Sequence, residues 1–274
     1  MSMLPEANRA EVNVTPRYDR VYRFPIRHPK LKEFFMANDR KTSRLFVWGV
    51  AGLLLAGVSV LAMGHRPAYA ESAMAVPAPV FNPPDNAASE TAVLSGGCFW
   101  GLQGVYEHVK GVTKVYAGYS GGAASTAAYE IVSTGQTGHA ESVQVTFNPS
   151  VISYGQILQI YFSVATDPTE LNFQGPDTGT QYRGEIWYSS PAQKQIAAAY
   201  ISQLTASHVF SQPIVTRVDP LKAFYEAEGY HQDFLVLHPD YPYIAINDIP
   251  KVENLQRLFP ALYRATPVTV LPAS

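Results

Sequence analysis

Apolar and polar positions along this chain fall into three regimes. The first is a charge-free apolar run, Leu45–Met63, preceded by Arg40, Lys41 and Arg44. The second, residues 71–90, mixes alanine, proline and asparagine without a period and reads as a flexible or semi-extended linker. From Thr91 onward, short strand-like and helix-like patterns alternate. Thr91–Leu94 is a predicted strand, and Phe99–Val109 carries apolar residues at helical spacing. Thr113–Tyr119 reads as a second strand, Ser120–Thr126 as a glycine- and alanine-rich loop, and Ala140–Phe147 as a well-alternating strand closed by Asn148 and Pro149. Ser153–Ala165 is a predicted helix, with Ile157, Leu158, Tyr161 and Phe162 as its core stripe. Asp167–Gly184 is too polar and glycine-rich for regular structure, and such loops are where binding groups tend to lie. Glu185–Tyr188 and Ile214–Val218 read as strands, and Pro191 opens a helix running to about Thr205. Asp219–Glu228 reads as a loop or short helix. Residues 239–274 hold one plausible helix, Val252–Leu262, and read as a tail packed partly on the domain. Alternating strands and helices on this scale predict an α+β fold with two layers.

Composition narrows the function classes. The chain is 47% apolar with a formal charge of −2, enough for one substantial core and without the basic excess of a nucleic-acid binder. It has one cysteine, so no intramolecular disulfide can form. The run 45–63 with its basic flank fits either a signal peptide or a membrane anchor, and Ala68-Tyr69-Ala70 before Glu71 supplies an Ala-x-Ala processing site. A start at Met36 gives residues 36–70 the ordinary proportions of a signal, leaving residues 1–35 as an over-extended start or an extension. Both of these readings place the remainder outside the cytoplasm, with membrane contact only through 45–63 if it is retained; a buried helix of a soluble domain is the third alternative for the run.

The lone cysteine, Cys98, sits in Ser95-Gly96-Gly97-Cys98-Phe99-Trp100-Gly101, at a strand-to-helix junction. Free backbone N–H groups and the helix dipole there favour a thiolate. The spacing alone leaves a reactive cysteine, a buried structural one and a metal ligand all open. His139, His231 and Asp233 lack a metal-binding spacing and fit loop-bridging hydrogen bonds better, although a Cys98–His pair of hydrolase type remains open. Glu141, at the start of an apolar strand, is in a position where burial raises a carboxyl pKa.

Five blocks carry a resemblance. GCFWG at 97–101, GYSGG at 118–122, TGHAESVQVTF at 137–147, DPTELNFQGPDTGTQYR at 167–183 and AEGYHQDFL at 227–235 together resemble the peptide methionine sulfoxide reductase A family. The resemblance implies a catalytic domain over residues 91–238, a mixed sheet with a ferredoxin-like core and extensive coil. It also implies reduction of the S epimer of methionine sulfoxide, free or in oxidised proteins, with Cys98 as nucleophile. Glu141 is then the acid, Tyr129 and Tyr182 are hydroxyl donors, and Phe99, Trp100, Asp177 and Tyr230 bind substrate. No cofactor is implied, and a monomer is expected. The chain departs from the family pattern at Ser125-Thr126-Ala127-Ala128, where Asn-Pro is usual before the tyrosine, and at Thr166, where histidine is usual. It also has no resolving cysteine: position 133 is serine and the stretch from His231 to Ser274 has none. Regeneration therefore calls for an external thiol, such as a thioredoxin- or glutaredoxin-like protein or a small molecule.

Overall fold

The structure, a computed structural model, describes residues 73–271. The apolar run 45–63 and the Ala70 processing site lie outside the described residues. No helix among the described residues is long and apolar enough to cross a membrane.

Four strands form the centre: β1 (Glu90–Ser95), β2 (Val112–Ser120), β3 (Ala140–Phe147) and β6 (Glu185–Tyr188). Between β1 and β2 runs α1 (Phe99–Glu107), and between β3 and β6 runs α3 (Tyr154–Ile160). The sheet order is β7-β6-β1-β3-β2-β8, with β7 (Arg217–Pro220) and β8 (Phe224–Glu226) at the edges. β3 is antiparallel to both β1 and β2, and β1 is antiparallel to β6, so β1 and β2 run in the same direction on either side of β3. This is the split βαβ arrangement of a ferredoxin-like α+β sandwich. A two-stranded hairpin, β4 (Phe173–Gln174) with β5 (Asp177–Thr178), stands apart from the sheet.

The helices start where the sequence provides caps. Ser153 and Gln156 form a reciprocal capping box at α3. Ser190 caps α4 (Pro191–Ala206), whose proline occupies the first turn, where no N–H is needed. The short helix α2 (Tyr129–Val132) lies between β2 and β3, while α5 (Phe234–Leu237) and α6 (Ile249–Leu258) come after the last strand.

Helix α1 is unusual in being buried on almost every side: of its residues only Trp100 is partly exposed. Its two glycines explain how this is possible. A Cβ at Gly104 would lie 2.6 Å from Leu235 Cδ1 of α5, and one at Gly101 would collide with the Asp248 carboxyl group. The chain after β8 therefore covers the outer face of α1 while the sheet covers the inner one.

Several predicted elements need correction. The helix expected over Ser153–Ala165 is α-helical to Ile160 and widens into a π turn over Tyr161–Ala165. The strand expected at Ile214–Val218 lies at Arg217–Pro220, where it pairs in parallel with β6. The stretch expected to be loop or short helix up to Glu228 contains β8, which satisfies the outer edge of β2. The last helix begins at Ile249 rather than Val252, following a π turn at Ile244–Asp248. Residues 73–89 form no regular element but are not free. Val76 is buried, its N–H donates to Ser163 Oγ at 3.1 Å, and Tyr200 donates to Pro77 O at 2.6 Å. Extended chain with no sheet partner here satisfies its backbone through the side chains of α4 and the π turn.

Candidate active site

Strand β1 ends in a turn whose geometry is fixed from three sides. Ser95 O accepts from Tyr161 OH at 2.6 Å, and Ser95 Oγ accepts from Trp187 Nε1 at 2.8 Å. Gly97 N–H donates to Tyr182 O at 3.1 Å, and its φ of +90° lies in the region that glycine alone adopts at little cost. Cys98 follows as the N-cap residue of α1, half-buried.

Glu141 stands on β3 directly opposite Tyr119 of β2 and is 2% exposed. Its Oε2 accepts the Phe99 N–H at 3.0 Å, the first open donor of α1. Burial pushes its pKa up to about 8; the Phe99 N–H opposes this, and the nearby charges of Asp177 and Asp248 add to it. The carboxyl group is therefore mostly protonated at pH 7.

The thiol departs from the expectation of a resting thiolate. Burial pushes Cys98 well above the usual thiol range, the Glu141, Asp248 and Asp177 charges push it further, and only the Trp100 N–H works against them. The helix end is electropositive, but Glu141 already takes its first N–H, and burial, with the local carboxyl groups after it, outweighs the dipole. The resting pair is a thiol beside a carboxylic acid.

Hydroxyl groups surround this pair. Tyr182 is held protonated by burial and by the charges of Glu141 and Asp177, with Cys98 beside it. Tyr129 is pushed up to about 12 by burial, Glu141 and Cys98. Its backbone N–H is anchored on Glu228 Oε1 at 2.9 Å, and Glu228 Oε2 takes the Tyr119 hydroxyl at 2.7 Å. Tyr230 is different: 61% exposed, it lies at the rim with its ring 4.2 Å from that of His231.

The aromatic residues after the nucleophile divide their roles. Phe99 is 1% exposed and packs between Tyr119 and His231. Trp100 remains accessible on one side and stacks on Phe234 at 4.0 Å, with its indole N–H donating to His231 Nδ1 at 3.1 Å. Tyr241 and Tyr243 meet Trp100 edge-on. Asp177, on the β4–β5 hairpin, accepts from the Tyr243 hydroxyl, and its carboxyl is raised by burial.

Neither buried histidine acts on Cys98. His139 accepts from Gly122 N–H and bonds Ala123 O, and His231 is kept neutral, lowered to about 4 by burial. No cluster of metal-ligating side chains occurs among the described residues. Sequence reasoning missed Tyr243 and Asp248, both in the segment read as a tail. A signal was present: Asp248 followed by Pro250 is the pattern of a helix start, which places α6 against α1 earlier than its apolar periodicity suggests.

A thiol at a helix N-terminus, facing a protonated buried carboxyl group within a ring of tyrosine hydroxyls, defines a single-cysteine oxidoreductase site. The chain belongs to the peptide methionine sulfoxide reductase family, whose profile it matches over residues 90–261. It is 61% identical to the peptide methionine sulfoxide reductase MsrA 2 of Mesorhizobium japonicum, over 68% of this chain and 95% of that one. It is 48% identical to the MsrA 2 of Synechocystis, over 67% and 88% of the two chains. Among solved structures, it resembles reduced Mxr1 from Saccharomyces cerevisiae with a TM-score of 0.50 and 32% identity, covering 58% of this chain and 91% of that one. The activity is that of a peptide-methionine (S)-S-oxide reductase, working through a cysteine intermediate.

Proposed function

We propose that Cys98 and Glu141 carry the reduction as a thiol–acid pair. The observation that supports this is the Glu141 carboxyl group, bonded to the first N–H of the cysteine helix and still protonated at neutral pH. The Glu141 proton passes to the sulfoxide oxygen, which makes the sulfur electrophilic. Tyr182 and Tyr129 donate to the same oxygen. Cys98 sulfur attacks the sulfoxide sulfur and forms an S–S bond to it while the thiol proton replaces the one on Glu141; the hydroxyl then moves to Cys98 sulfur, so that the substrate S–O bond and the S–S bond break as the Cys98 S–O bond forms. The products are the thioether and Cys98 sulfenic acid, so one thiol and one sulfoxide account for every atom. Phe99 and Trp100 shape the wall for the methylthio group, and Asp177 and Tyr230 bind the backbone of the methionine residue.

Two external thiols then reduce the sulfenic acid, giving a disulfide and water and returning Cys98 to its thiol. A thioredoxin-like protein fits this step because the chain has no second cysteine to resolve the intermediate. The basic flank, apolar run and Ala70 site support a reading in which this work is done outside the cytoplasm, either as a cleaved domain or tethered by residues 45–63.

One turnover without reductant tests the chemistry. One equivalent of thioether per enzyme, with a sulfenic acid trapped at Cys98, is expected; equal yield from Cys98→Ser would sink the proposal. The mass of the purified N-terminus tests processing, with Glu71 as the expected first residue.

A further inference from the structure

The buried carboxyl group of Asp248 has no part in the chemistry above, yet it lies against the helix that carries Cys98. Asp248 is 0% exposed and stands at the head of α6 without capping that helix through its side chain. Its Oδ1 faces the Cα of Gly101 instead, three residues after the nucleophile, where any side chain would collide with it. The neighbouring chain ties this segment to the site, since Tyr243 donates to Asp177 and packs its ring edge-on against Trp100. The charged and titratable groups of the cluster are Glu141 from β3, Asp177 from β5, Tyr129 from α2, Tyr182 from the turn before β6, Tyr243 just before the π turn, and Lys251 from α6. Lys251 is 8% exposed, and its ammonium group acts on Asp177.

We propose that Asp248 is a positioning residue that occupies the electropositive start of α1 in place of a cysteine thiolate, and so keeps Cys98 in its thiol form until a sulfoxide enters. A carboxylate and a thiolate compete for the same helix end, and two anions there repel. The raised thiol agrees in direction, with burial first and Glu141 and Asp248 next. The benefit follows from the single cysteine. A thiolate is the form that peroxides oxidise, and oxidation beyond the sulfenic acid is not reversed by thiols.

This inference rests on Cys98 being the nucleophile, but its test reads the thiol without turnover, so the two fail separately. The rate of Cys98 alkylation by iodoacetamide is measured from pH 6 to 10 in the full chain, and, since the native thiol titrates above most of that range, the midpoint is obtained by scaling the rates to the thiolate plateau of a free-cysteine peptide. In Asp248→Asn the midpoint is expected to fall by about one pH unit, making alkylation at pH 7 about tenfold faster. Inactivation by hydrogen peroxide is expected to speed up in parallel. Leu255→Ala, which loosens the packing of the same helix, is expected to lower the melting temperature and leave the midpoint in place. Lys251→Met, which removes a cation from the cluster, is expected to raise the midpoint. A midpoint that is unmoved or raised in Asp248→Asn, or moved as far by Leu255→Ala, overturns the proposal. If Asp248→Asn does not fold, Lys251→Met decides: an unmoved or lowered midpoint overturns it.

Discussion

The two ends of α1 hold the same kind of group and use it differently. At the N-terminal end, Glu141 and Asp248 stand around Cys98. At the C-terminal end, Glu107 and Asp233 are both 0% exposed, and their carboxyl groups share a hydrogen bond. Burial, together with Asp233, raises Glu107 well above the usual carboxylate range, so Glu107 holds the proton and donates it. Asp233 also accepts from Val270 N–H at 3.1 Å and Leu271 N–H at 2.7 Å. The Glu107 and His108 carbonyls take the Val268 and Arg264 N–H groups at 3.0 and 2.8 Å. That end is a fastening for the last segment of the chain. A buried carboxyl group that keeps its proton is thus no sign of catalysis by itself. What separates the two ends is access: the proton on Glu141 lies beside Cys98, a residue that is partly exposed, while the proton on Glu107 is sealed under a strap.

Substitutions at the two ends should therefore separate turnover from stability. The largest effect belongs to Cys98→Ser, which should lower methionine sulfoxide reduction by more than about 10⁴-fold while leaving the urea midpoint near that of the native chain. Glu141→Gln should cost about 10²–10⁴-fold in kcat/KM, because the amide cannot protonate the sulfoxide oxygen. The native rate should fall as pH rises through about 8, where Glu141 loses its proton, and Glu141→Gln should lack that limb. At the other end, Asp233→Ala should cost about 3 kcal/mol, since it strands the N–H groups of Val270 and Leu271 and the Glu107 donor. Turnover per folded molecule should survive, and amide exchange at Val270 and Leu271 should be the first to accelerate. A loss of turnover in Asp233→Ala without loss of stability would erase the distinction between the ends.

The sequence made the N-terminal end legible and left the other obscure, for physical reasons. Ala140–Phe147 and Glu185–Tyr188 have the predicted bounds because each strand pairs along its full length and shows a simple in–out alternation or a short apolar run. Cys98 and Glu141 lie at the ends of such elements, so their approach follows once β1 and β3 are paired. Helix α1 was recognisable in type but not in surroundings. Gly101 and Gly104 look like weak points in a helix, and their role as seats for Asp248 and Leu235 depends on chain more than 100 residues away. β8 was missed because a three-residue edge strand carries too few positions to show a period. The thiolate expectation failed because helix-end electrostatics can be read locally, whereas the burial of Cys98, first, and the carboxyl groups of Glu141, Asp248 and Asp177, next, depend on chain that folds over it from elsewhere. The docking of residues 73–89 was hidden because a proline-rich segment pinned by side chains has no pattern of its own.

Glu107→Gln should give the smallest change and draw the sharpest line between the ends. The amide still donates to Asp233, so stability at about pH 4, where the unfolded chain also carries the Glu107 proton, should differ from the native value by less than about 1 kcal/mol, and turnover should stay within about twofold. The pH dependence is where it differs. The folded-state pKa of Glu107 is raised, so its contribution is fully present below the unfolded-state value. It declines above that, and is lost as pH rises through the folded-state value. The native chain should therefore lose stability from about pH 5 upward, by at most about 1.4 kcal/mol per pH unit for this one proton. Glu141 contributes a parallel loss that ends near pH 8. Urea midpoints at pH 5, 6, 7 and 8 should fall less steeply in Glu107→Gln by about one proton's worth, while its rate profile keeps the limb near pH 8. Glu141→Gln should flatten both profiles. If Glu107→Gln leaves the stability slope unchanged, the C-terminal end does not hold its proton on Glu107, and the likeness between the two ends fails.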